Sequence, residues 1–181
     1  NFEQTPESFE FPDIANHLSR MVKVDQEMRE RQNENEEFWN ETVDVDNTEQ
    51  MKEIVSKIGW PSISKVGKEG AENAWLLVQH ADHDVAFQEI CLRLMKEIPL
   101  YDIDPTNIAY LEDRIRVNQN KGQLYGTQFR QVDGAHVPCE IKDKEEIDAR
   151  RAAMGMGPLS EQIEMMYEKY PFDNRPIDIP Q

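Results

Sequence analysis

The chain has 181 residues, and 36 Asp and Glu against 20 Lys and Arg give it a formal net charge of −16. That length suits one domain around one core. A field of that sign repels phosphate backbones and anionic lipid headgroups, so neither nucleic acid nor a membrane surface is an expected partner. No apolar run of ~20 residues is present to span a bilayer.

Residues 1–12 carry Pro6 and Pro12 and read as an extended arm. Asp13 then caps a helix to about Asn35, with Ile14, Leu18, Met21, Val22 and Met28 on one side. Phe38 to Val45 reads as irregular. Asn47-Thr48 opens a second helix to about Ile58; Gly59 ends it, and Trp60-Pro61 forbids its continuation. Ser62 to Gly67 reads as a loop. A third helix follows from about Glu69 to Ala81 and a fourth from about Val85 to Glu97. Asp104-Pro105 opens a fifth to about Asn118. The period then changes: Gln123 to Ile141 is rich in extended residues around Asp133-Gly134, a hairpin signal. Asp143 caps a sixth helix, Lys144 to Met154, and Pro158-Leu159 begins a seventh to about Tyr167. Pro171 to Gln181 reads as a proline-rich tail. The expected fold is mainly α: about seven helices in a single array spanning 13–170, with one inserted β-hairpin at about 123–141. The two cysteines, Cys91 and Cys139, read as reduced thiols.

Four places put polar groups where the helical pattern wants apolar ones. Asp25 falls on the stripe of Leu18, Met21 and Met28, with Gln26 beside it and Arg29 four residues on. An unpaired carboxylate there is costly, so the pair is either a structural ion pair at the core's edge or part of a site. The apolar run Ala74 to Val78 leads straight into Gln79-His80-Ala81-Asp82-His83-Asp84. Imidazole beside carboxylate suits general-base work or metal ligation; the bland alternative is that Asp82 caps the fourth helix and the histidines bond locally. Two histidine nitrogens fall short of the three or four ligands zinc takes, so no cofactor is expected, with a divalent metal at His80 and His83 as the remaining option.

On the fifth helix Tyr110, Asp113 and Arg114 border the apolar face, as an orienting set or as a boundary salt bridge. Gln123-Leu124-Tyr125-Gly126-Thr127-Gln128 opens the hairpin. Its hydroxyls and amides offer neutral, directional hydrogen bonds, and its glycine permits close approach of a ligand or of another backbone. An ordinary edge strand is the plainer reading. No Gly-x-Ser-x-Gly nucleophile and no phosphate-binding glycine loop occur, and Cys91 reads as core.

Together these blocks are specific in order: Asp25-Gln26-x-x-Arg29, Trp60-Pro61 with Val66-Gly67, Ala74-Trp75 leading to Gln79-His80-Ala81-Asp82, Ala109-Tyr110-Leu111-x-Asp113-Arg114, Gln123 to Gln128, and Asp148-x-Arg150-Arg151 with Gly155. The chain resembles the domain of unknown function numbered 6624 over roughly residues 14–167. The resemblance implies that the polar residues of these blocks share one site, and it implies no particular activity. The acidic stretch Arg31 to Asn47 and the proline-rich tail depart from the family pattern.

The reading that follows is a small enzyme, or enzyme-like pocket, acting on a small polar or anionic molecule or a peptide. His80 is its general base, oriented by Asp82 or Asp113. Arg29, Arg114 and Arg150 bind a carboxylate or phosphate. Asp25, Gln26, Gln79, Tyr110, Tyr125, Thr127 and Gln128 hold the rest of the substrate. The rival is a non-catalytic binding or interaction protein with a structural polar network. Asp25, Arg29, His80, Arg114, Tyr125 and Gln128 are expected to line one cavity, with Trp75 in the core.

Overall fold

The structure is a computed structural model that describes residues 8–34 and 41–171; parts of the arm and nearly all of the proline-rich tail lie outside them. Among the described residues it is mainly helical, with seven α-helices and a two-stranded antiparallel hairpin. The chain falls into two compact units, residues 1–108 and 109–181.

In the first unit, helix α1 (Pro12–Glu34) starts on proline, whose missing N–H costs nothing at a first helical position. Asp13 therefore lies in the first turn rather than capping from outside. Leu18, Met21 and Met28 are buried as their spacing requires, and Asp25 lies among them at 0% exposure. Helix α2 (Glu41–Ile58) begins earlier than its sequence suggests. Asn47 and Thr48 are not its start but its buried inner face, and the Thr48 hydroxyl donates back to the Asp44 carbonyl at 2.7 Å, a bond of helix interiors.

Helix α3 (Ile63–Gln79) absorbs most of the expected loop. A first turn, held by the Ser64 amide and hydroxyl on the Asp102 carboxylate at 2.6 and 2.8 Å, precedes a kink at Gly67 with φ 77°. Glycine takes that conformation without steric cost, so the helix resumes beyond it. Lys65 donates to the carbonyls of Ile58 and Trp60 and so caps the end of α2. Helix α4 (Val85–Glu97) is capped by Asp84, which accepts from the Phe87 amide at 2.9 Å; Asp82 has no such role. Helix α1 lies along α3, α2 touches both, and α4 joins α3. Leu18, Met51, Leu77 and Met95 are fully buried there. Trp75 is half-buried, and Ala74, Leu77 and Val78 are the inward residues of its helix.

Helix α5 (Pro105–Asn118) runs across the boundary between the units. In the second unit, β1 (Phe129–Val132) pairs with β2 (Ala135–Pro138), with Val132 opposite Ala135. The turn residues Asp133 and Gly134 have φ of 49° and 85°, which suits the twist of a two-residue hairpin loop. The strands are shorter than expected: beyond a single bridge from Gln123 to Ile141, Gln123 to Gln128 is not strand, because the amides of Leu124, Tyr125 and Thr127 turn to Asp113 instead of a neighbouring strand. A 3-10 turn (Lys144–Glu146) leads into α6 (Ile147–Ala153), and α7 (Leu159–Lys169) follows. Asp143, expected as a cap, has φ 46° and no side-chain capping bond. Cys91 and Cys139 are both free thiols. Among the described residues no helix is long and apolar enough to cross a membrane.

Candidate functional site

Three helices of the first unit bring four polar side chains together. Asp25 comes from the buried stripe of α1, and Arg29 stands one turn further on. Asp44 comes from the early turn of α2, and His80 is the residue that ends α3. His80 Nδ1 lies 3.0 Å from Asp25 Oδ1. The Arg29 guanidinium donates from Nε to Asp25 Oδ2 at 3.2 Å and from Nη2 to Asp44 Oδ1 at 2.7 Å. Gln26, exposed beside them, donates to Asp25 Oδ2 at 2.8 Å.

The geometry selects a tautomer. Arg29 Nε is also 3.1 Å from His80 Nδ1, so Nδ1 can either accept from the guanidinium or donate to Asp25, but not both at full strength. A bare Nδ1 lone pair would face the Asp25 carboxylate, whereas an Nδ1–H satisfies it, and Arg29 keeps both carboxylates as acceptors. The arrangement thus favours the proton on Nδ1 and leaves the Nε2 lone pair outward. No hydrogen bond engages Nε2 among the described residues, and the His80 side chain is 17% exposed.

The charges are unevenly matched, two carboxylates to one guanidinium. Burial pushes the Asp25 carboxyl up, but the hydrogen bonds and charges of His80 and Arg29 outweigh it and hold the group below its usual value. For Asp44 burial wins: it pushes the carboxyl above its usual value, the Asp25 charge adds to that, and Arg29 only partly offsets it.

The second unit holds a different network. Asp113, at 0% exposure, accepts from the amides of Leu124, Tyr125 and Thr127 at 2.7, 3.0 and 3.0 Å, and from the Thr127 hydroxyl at 3.0 Å. Burial pushes its carboxyl up, against the pull of those amides. Gln123, also fully buried, crosses the same loop to the carbonyls of Gln128 and Cys139, and its own carbonyl oxygen takes the Gln128 amide. From the far side Arg150 donates to the carbonyls of Leu124, Lys142 and Asp143, and buried Arg151 donates to those of Tyr125 and Gly157. Tyr110 accepts from Gln162 at 3.1 Å. These groups answer each other with donors and acceptors of the backbone, the pattern of a loop being held in shape.

A family model agrees with the blocks. The one described as "Family of unknown function (DUF6624)" matches residues 12–175. The chain belongs to that family. No curated protein and no solved structure matches it.

Within this DUF6624 chain the predicted site residues fall in both units. Asp25, Gln26, Arg29 and His80 meet in the first unit. Asp113, Thr127 and Arg150 are bound into the second unit's loop, where Tyr125 contributes its backbone and Gln128 bonds the Thr127 hydroxyl at 3.1 Å. Arg114 is half-buried on α5. Gln79 is buried, and its amide oxygen finds no partner among the described residues. Asp82 is exposed and accepts from Gln88 at 3.3 Å; the carboxylate on His80 Nδ1 is that of Asp25. His83 is exposed in the turn before α4. Sequence reasoning missed Asp44, which lies in the stretch read as irregular. Its signal is the stripe Asp44, Thr48, Met51, Val55, which extends the α2 pattern back by one turn. The first unit also has a groove of about 720 Å³ between α1 and the start of α3, lined by Phe9, Asn16, Ser19, Gly67, Lys68 and Asn73 among others; the four clustered residues do not line it.

Proposed function

We propose that this protein is a small enzyme in which His80 is a general base acting on a small polar molecule or peptide. The observation that carries the reading is the Asp25–His80 contact at 3.0 Å, with Nε2 left uncommitted among the described residues. A carboxylate on one imidazole nitrogen fixes the ring, holds the proton there, and stabilises the cation formed when the other nitrogen takes a proton. Cys91 is no nucleophile, since burial pushes its thiol up to about 12, so the base acts on water or on a substrate proton. With Arg29 held by two carboxylates, the substrate that suits this cluster is neutral or cationic rather than a phosphate or carboxylate.

The rival reading, a non-catalytic protein with a structural polar network, has one observation in its favour: Arg29 already satisfies both Asp25 and Asp44. A hydrolysis screen over small esters, amides and dipeptides, run with wild type and His80→Gln, tests the choice. Turnover that disappears in His80→Gln supports the enzyme. Turnover unchanged in that variant, or none over the whole panel, rejects it.

A further inference from the structure

We propose that the same cluster is a divalent-cation site in which Arg29 is a tethered stand-in for the ion. Asp25, Asp44 and His80 each present one ligand atom, and these atoms all lie within 4.8 Å of one another. They do not converge on empty space. The Arg29 guanidinium is among them, bonded to Asp25 and Asp44 at 3.2 and 2.7 Å and with its Nε 3.1 Å from His80 Nδ1. Donors from three separate helices therefore surround a resident positive charge, and the C-terminal end of α3, where His80 sits, adds the negative end of its dipole.

The two kinds of cation are exchangeable because they are differently tied. Asp25 is wholly buried and cannot follow a partner outward, whereas the Arg29 side chain is 26% exposed on a flexible stem and can turn to water. The carboxylates then need another positive charge. One imidazole nitrogen with two carboxylate oxygens is a donor set for Zn²⁺ or Mn²⁺ rather than Ca²⁺, which takes oxygen ligands only. Bonds of about 2.1 Å place tetrahedral ligand atoms roughly 3.4 Å apart, so side-chain rotations of about an ångström close the set. Three protein ligands leave a coordination position for water. His83, the second histidine suggested by the sequence, is not in the set.

A metal on Nδ1 leaves the imidazole proton on Nε2, so the loaded cluster has no imidazole base. Loading and general-base chemistry are alternative states of one cluster. The inference does not rest on the general-base reading, and it is tested by binding alone.

The experiment titrates chelator-stripped protein with Zn²⁺ by calorimetry and with Mn²⁺ by electron paramagnetic resonance. One ion per chain is expected in the wild type. Asp44→Asn should bind at least tenfold more weakly, which separates this cluster from adventitious surface histidines. Arg29→Gln should bind at least tenfold more tightly, because the competing cation is gone. An unchanged affinity in Asp44→Asn, no binding to the wild type, or equal or weaker binding in Arg29→Gln overturns the site. Since Arg29→Gln also removes the ion pairs to Asp25 and Asp44, a second measurement uses the wild type: the Arg29 Nε–H resonance in ¹⁵N spectra should shift on saturation with Zn²⁺, and an unmoved resonance overturns the exchange.

Discussion

Asp25 Oδ1 and His80 Nδ1 lie 3.0 Å apart although 55 positions separate them in the chain. The contact joins the buried stripe of α1 to the end of α3, and it holds the imidazole ring in place. His80→Ala should therefore lower kcat by about a hundredfold to ten-thousandfold on any substrate the screen identifies. Asp25→Asn should lower it in the same direction by releasing the ring. Because the His80 side chain is partly exposed, His80→Ala should leave the calorimetric melting temperature within a few degrees of wild type. A variant that unfolds while the folded fraction keeps full turnover would make the histidine structural.

Asp113 is the opposite case. The sequence makes it a candidate catalytic carboxylate, yet it accepts from the amides of Leu124, Tyr125 and Thr127 and from the Thr127 hydroxyl, all in the loop that it holds. Asp113→Asn turns an NH2 toward backbone donors and removes the charge that strengthens their bonds, so it should cost about 3 kcal/mol or more of stability. Urea denaturation measures the loss, and hydrogen exchange should locate it at Leu124, Tyr125 and Thr127.

How far the sequence could be read follows from what each residue answers to. The helices with apolar stripes, and the Asp133-Gly134 turn, are local in origin: period and turn chemistry determine them. Asp25 was legible as a misfit because a carboxylate interrupts an otherwise apolar stripe. Its partner on His80 was not, since no spacing rule connects α1 to the end of α3. Asp44 was hidden because its helix begins in a charged stretch with only one apolar residue per turn. Gln123 to Gln128 alternates like a strand, and a distant carboxylate, buried on α5, turns the amides of Leu124, Tyr125 and Thr127 away from strand pairing. The loop before α3 became helix for a similar reason, its first turn being held by Asp102 from another segment.

Gly126 has φ 71°, and a Cβ built on it would meet the Leu159 side chain at 2.5 Å. The space beside this glycine is thus filled by α7 of the same unit, not kept for a ligand. Gly126→Ala combines a left-handed backbone with overpacking and should destabilise by roughly 2–4 kcal/mol. Thermal melts of the variant check it. A neutral result would mean that α7 yields at that contact.

Asp102 makes a pH prediction. Burial pushes its carboxyl up, but the hydroxyls of Ser62 and Ser64, the Ser64 amide and the Lys65 charge outweigh it and hold the group below its usual value. A carboxyl that is lowered on folding adds stability above its unfolded value, about 3.9, and loses that contribution as pH falls through the lower folded value. Acid titration of stability should show this loss between about pH 4 and the folded value. Asp102→Asn should cost about 1 kcal/mol at neutral pH and flatten that limb of the curve. An acid limb identical in the variant would remove Asp102 as its source.

The two thiols should differ in reactivity without ever pairing. Both are free, Cys91 at 0% exposure within α4 and Cys139 half-buried just after β2. The thiolate is the species that alkylates, so a group pushed up to about 12 presents almost none of it at neutral pH. Cys139 is also raised by burial, but to a lesser degree that leaves it the faster of the two, and its half-exposed position lets reagent reach it. Iodoacetamide at pH 8 should therefore add one label to the native protein, at Cys139, and the second only in urea. Mass spectrometry without reductant reads both steps. Two labels at equal rates in the native protein would mean that α4 opens on the timescale of labelling, and a mass two units low would reveal a disulfide that the structure does not contain.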